Sequence, residues 1–143
     1  MPVDVRWLIA DRVVIHEFSG QVALADTTRA SVEGPMLSLA GTPPIHMIVN
    51  LLAVTQFPHS IQQLQIAIRQ NPHLDRLGLI VIVINQNPML RFLATILTRV
   101  TFSNLRIGMA DNMAGALQQL RACDASLHPW ISADGELISP PGA

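Results

Sequence analysis

The amino-acid sequence predicts an α/β fold: a mostly parallel mixed sheet of about five strands, with an N-terminal hairpin and about four helices. Three observations predict it. Leu79-Ile80-Val81-Ile82-Val83-Ile84 is an unbroken, β-branched apolar run, as expected of a parallel strand buried on both faces. Strand-type runs alternate with helix-type stretches along the chain, which calls for right-handed crossovers. The first two strand-type runs, in contrast, are separated by only three residues, so they pair antiparallel, at an edge.

In chain order, Val5–Ile9 and Val13–Phe18 form the hairpin around Ala10-Asp11-Arg12, and Ser19-Gly20 breaks the pattern. Helical spacing follows across residues 21–41, with Asp26 or Thr27 as N-cap and Ala30, Met36, Leu37 and Ala40 as apolar positions. Gly34-Pro35 predicts a kink or two short helices there, since an interior proline costs ~3 kcal/mol. Gly41-Thr42-Pro43-Pro44 is a stop, and Ile45–Leu52 reads as a largely buried strand. A helix opens at Ser60, with Gln63 three residues on completing a capping box and Ile61, Leu64 and Ile68 in one stripe.

After the Leu79–Ile84 strand, Asn87-Pro88 starts a helix to about Val100. Leu105–Met109 is a short strand, and Asp111 caps a last helix carrying Met113, Ala116, Leu117 and Leu120. The domain spans residues 1–123. From Asp124 the composition turns to Ser, Pro, Gly and Ala, so 124–143 reads as a C-terminal tail, with Asp134-Gly135 as the turn of a small hairpin that docks Trp130.

Composition removes whole classes of function. Half of the 143 residues are apolar and 13% are charged, which leaves apolar surface exposed or covered by a second copy. A net charge of −1 offers no handle for nucleic acid. All nine basic residues are Arg, so the P-loop lysine, Schiff-base chemistry and lysine general bases are absent. Cys123 is the sole cysteine and fits a reducing compartment. The N-terminus does not read as a signal peptide, and the longest apolar run is far short of the ~20 residues of a membrane helix. A cytoplasmic protein with no transmembrane segment is the expectation.

Motifs for catalysis are equally sparse. The five His form no HExxH or HxH pair and Cys123 has no partner at ligand spacing, so neither metal nor cofactor is expected. His16 and His46 lie within strands and read as packed or hydrogen-bonded core histidines. Glu17, Glu33 and Glu136 stand in separate segments, and most Asp residues sit at turns and caps. An active phosphoacceptor receiver is excluded, because the matching strand ends are Asn50 and Asn85 and no Lys exists. GxSxG and GxGxxG are missing. An enzyme is the third-ranked reading.

The informative place is the turn between the Asn50 strand and the Ser60 helix, running Asn50-Leu51-Leu52-Ala53-Val54-Thr55-Gln56-Phe57-Pro58-His59-Ser60-Ile61. Loops leaving the C-terminal edge of a parallel sheet form the usual binding surface, and a helix N-terminus favours negative charge. With the element order, this stretch resembles the STAS domain, the fold of bacterial anti-sigma factor antagonists. Asn50-Leu51 takes the family's Asp-Leu place, Val54 its Val, and Ser60 its phosphoacceptor serine. Pro58, His59 and Ile61 depart from the family pattern. The resemblance implies a non-catalytic regulatory module that binds another protein, a regulatory kinase or anti-sigma factor, through Thr55, Phe57, Pro58, His59 and Ser60.

Each of these residues has a structural role open to it. Ser60 is an N-cap, alone or doubling as a phosphosite, and Phe57 is an interface anchor or a staple onto its own helix. The helix from Pro88 to Phe102 carries Leu90, Phe92 and Phe102 beyond its core stripe, which reads as deep burial or as a homodimer or ligand surface. The alternative function is a small apolar-ligand or lipid carrier, with a closed cavity between the helices at 21–41 and 88–100.

Overall fold

The computed structural model describes residues 3–56, 77–84 and 106–138, together with positions 88, 91, 92 and 95. Its elements are β1 (Val3–Ile9), β2 (Val13–Gln21), α1 (Leu24–Leu39), β3 (Ile45–Gln56), β4 (Leu77–Val83), β5 (Arg106–Ala110), α2 (Met113–Cys123) and a 3-10 turn at Ala125–Leu127. The five strands make one mixed sheet in sequential order, β1-β2-β3-β4-β5. β1 pairs antiparallel with β2, and every other pairing is parallel. The α/β class, the opening hairpin and its edge position match the sequence-based expectation. Among the described residues there are two α-helices rather than about four. The Ser60 helix falls outside those residues, while Pro88, Arg91, Phe92 and Thr95 of the expected 88–102 helix are helical.

The hairpin turns on Asp11, which takes a left-handed φ of 69° that aspartate tolerates better than bulkier residues. Arg12 N–H donates to the Ile9 carbonyl at 3.1 Å and closes the turn. β2 does not stop at Ser19-Gly20. It continues to Gln21 through register shifts against β3, with Gly20 at φ 64°, so glycine here makes a bulge and not an end.

Strand alternation divides the core into two faces. On one, Val13, Ile15, Ile48, Val81 and Val83 pack with Ala116, Leu117 and Leu120 of α2. Leu127 and Ile131, beyond the end of α2, are fully buried in the same cluster. An Ile131–Leu137 bridge forms the small hairpin there, and Gly135 at φ 81° lies so close to the Ala114 carbonyl that a Cβ would come within 2.2 Å of it. On the opposite face Phe18, Leu51 and Ile82 pack with Ala30 of α1, and Val14, Ile45 and Met47 with Leu37.

Several details of the elements differ from the sequence reading. α1 is one continuous helix through Gly34-Pro35, not two short ones. Propensity is local, whereas Ala30 and Gly34 are both buried against the sheet, and that packing outweighs the proline penalty. The helix starts at Leu24, and Asp26 acts from its first turn by accepting the Ala23 N–H at 2.8 Å instead of capping it. Met36 faces outward. α2 is capped by Asn112, whose side chain accepts the Gly115 N–H at 2.7 Å, while Asp111 pairs with Arg91 at 3.0 Å. β3 runs four residues past Leu52, so Asn50 is mid-strand and Thr55 belongs to the strand.

His16 is buried where α1 meets the sheet, and a Cβ on Gly34 would sit 2.5 Å from its Nε2. Glycine at 34 is therefore what lets the helix approach. Nε2 has no hydrogen-bond partner, and desolvation lowers the imidazole pKa to about 4. The unfolded chain thus binds a proton below about pH 6.5 that the folded chain refuses until about pH 4. Stability falls as pH drops through that window. Between pH 7.5 and 4.5 His16 accounts for about 2–3 kcal/mol of the loss. Urea unfolding at both pH values should show that much less acid sensitivity in His16→Leu; an unchanged pH difference would place His16 in contact with water.

Candidate functional site

The polar residues that the fold brings together lie at the N-terminal edge of the parallel strands. Arg12 leads into β2, His46 is the second residue of β3, and Asp124 caps the C-terminus of α2. His46 is 1% exposed. Its Nδ1 faces the backbone N–H of Leu79 at 3.0 Å, and its Nε2 lies 2.9 Å from Asp124 Oδ2. An amide N–H can only donate, so Nδ1 accepts and the ring proton sits on Nε2, donating to the carboxylate. Gly78 makes the room: a Cβ there would come within 2.6 Å of the imidazole.

Asp124 is the hub. Oδ2 also accepts from the Arg12 guanidinium at 2.6 Å, and Oδ1 accepts the Ser126 hydroxyl at 2.6 Å and its backbone N–H at 3.0 Å. Partial burial on its own raises the carboxyl pKa. Hydrogen bonds from His46 and from the Ser126 hydroxyl and N–H, with the charge of Arg12, outweigh it and hold the group well below the usual carboxylate range. Arg12 spends a second guanidinium nitrogen on the Ser126 hydroxyl at 2.8 Å. Its Nε is buried without a partner. Apart from that nitrogen the cluster bonds within itself, and both His46 nitrogens are committed. In this arrangement the imidazole has no nitrogen with which to take a proton from a substrate.

Beside the cluster is an open cleft of about 460 Å³, bounded by Thr42, Pro43 and Pro44 on one side and by Arg106 and Cys123 on another. Arg106 donates to Cys123 Sγ at 3.2 Å. Among the described residues no group of three His, Cys, Asp or Glu could hold a metal ion. None of their helices is long and apolar enough to cross a membrane.

The residues singled out from sequence are elsewhere. Thr55 is exposed at the far end of β3, nine residues and roughly 30 Å from His46 at strand rise. Phe57, Pro58, His59 and Ser60 lie outside the described residues, as do Leu90 and Phe102. Phe92 is helical and 60% exposed, so of the two readings of its helix, burial does not hold at this position. Sequence reading missed the Arg12–His46–Asp124 convergence because its members stand 112 and 78 residues apart from Asp124. The one local signal was Gly78 inside an otherwise bulky strand, a mark of close approach.

No family model, curated protein or solved structure matches this chain. The resemblance to the STAS domain rests on the residues named above and draws nothing from these comparisons.

The geometry predicts unequal costs for neighbouring substitutions. Asp124→Ala strands a buried histidine donor and a guanidinium, and should lower unfolding free energy by about 3 kcal/mol or more. Cys123→Ser should cost less than about 1 kcal/mol. Denaturant titration of both variants measures this, and similar losses at 123 and 124 would refute the hub assignment.

Proposed function

We propose that this chain is a non-catalytic regulatory module, resembling the STAS anti-sigma factor antagonists, that works by binding another protein. The observation that carries the reading is on α1. Val32, Met36 and Leu39 stand at i, i+4 and i+7, on one helix face, and are 55%, 67% and 54% exposed. Three large apolar side chains aligned on the outside of a helix mark an interaction surface more often than a solvated one. Beside them an Arg29–Glu33 pair at 2.8 Å supplies charge of both signs for orienting a partner.

Two further features support this reading. Leu52, Ala53, Thr55 and Gln56 are exposed at the end of β3, the strand that leads into the Phe57–Ser60 segment. The buried polar cluster spends its groups on one another, which suits a scaffold. Under this proposal Ser60 is the control point: at the helix start that the sequence predicts, a phosphate would be stabilised by the dipole while repelling an acidic partner surface. The strand-end and α1 surfaces are tested separately.

The test is crosslinking in the native host followed by mass spectrometry, comparing the wild-type chain with Met36→Glu/Leu39→Glu and Phe57→Glu/Ser60→Glu. Met36 and Leu39 are exposed, so the α1 pair should shift stability by no more than about 1 kcal/mol. A specific crosslinked protein that disappears with either variant supports the proposal. A wild-type chain that crosslinks to nothing specific, or a partner retained by both variants, refutes it.

A further inference from the structure

We infer that the cleft at the N-terminal edge of the sheet binds a metabolite-sized organic anion, with Arg106 as its charged anchor. The inference begins with charge. Arg12 and Asp124 cancel within the cluster, and His46 gives its single ring proton to Asp124. Arg106 is different: among the described residues it makes no ion pair, and its recorded partner is a thiol, a weak acceptor. Among the described residues the cleft therefore holds one positive charge without a carboxylate partner. A guanidinium presents paired donors in a plane, the geometry that carboxylates and phosphates accept.

Shape supplies the rest. About 460 Å³ is far more than an inorganic ion fills and lies in the range of small-molecule sites. The rings of Pro43 and Pro44 give the ligand body an apolar wall, and Thr42 places a hydroxyl beside them. The ligand thus has an oxyanion at one end, set against Arg106, and an apolar body at the other. Both a carboxylic acid and a phosphate monoester meet that description. This site is separate from the α1 surface and stands or falls without it.

Cys123 shares the Arg106 wall and is the chain's only thiol, so its alkylation reports on occupancy. Iodoacetamide labelling should slow at least threefold in saturating phenyl phosphate or benzoate, and remain unchanged in benzyl alcohol, which has the body without the charge. The anion that protects at lower concentration identifies the headgroup. Arg106→Gln, with far-UV circular dichroism as a check on folding, should abolish protection. Arg106→Lys keeps the charge but loses the planar fork, and should need at least fivefold more anion; it replaces the glutamine variant if that one does not fold. Calorimetry on Cys123→Ser should give the same binding curve as wild type. Protection by neither anion, equal protection by benzyl alcohol, full protection in Arg106→Gln, or protection of Arg106→Lys at the wild-type anion concentration overturns the inference.

Discussion

The hydrogen bond from His46 to Asp124 joins parts of the chain that nothing else in the described structure connects so directly. His46 belongs to β3, its other nitrogen holds the backbone of β4, and Asp124 ends α2. Through Arg12 the same carboxylate reaches the β1–β2 hairpin. One buried residue thereby fixes how the sheet, the hairpin and the last helix sit together. Apart from Arg12 Nε the cluster's buried polar groups are paired, and pairing matters because a buried polar group without a partner costs about 1–3 kcal/mol. Gly78 in β4 and the Asp124-Ala125-Ser126 turn exist to make that pairing geometrically attainable.

The two buried histidines among the described residues illustrate opposite uses of one residue type. His46 has both nitrogens bonded and acts as a connector. His16, pressed against Gly34, has an unpartnered Nε2 and is held neutral by desolvation. Neither is free to perform acid–base chemistry. The described residues also present surface: an apolar stripe on α1, and a cleft where Arg106 makes no ion pair among them.

The sheet was legible in the sequence because its signals are local. An unbroken apolar run can only be a two-sided strand, and three residues between β1 and β2 leave no room for a crossover. What failed were rules that weigh one residue at a time. Pro35 argued for a broken helix, yet the burial of Ala30 and Gly34 is a tertiary effect that no local score contains. Asn50 looked like a strand end. In the fold its side chain accepts the Leu52 N–H at 3.0 Å, and the strand continues. The sequence pointed to the C-terminal edge of the sheet, by the rule that parallel sheets bind there, and Phe57 to Ser60 of that reading lie outside the described residues. The convergent polar residues are at the other edge, built from a turn, a strand start and a helix end too far apart in sequence for any spacing to reveal.

The claim on which this account turns is that His46 carries its proton on Nε2 and accepts at Nδ1. Imidazole nitrogen-15 spectra recorded at pH 8 separate the two nitrogens by their chemical shifts. The account predicts a protonated Nε2 that exchanges slowly with water and is scalar-coupled to its own proton, beside an acceptor Nδ1. A proton found on Nδ1, or an even mixture of tautomers in rapid exchange, would contradict it.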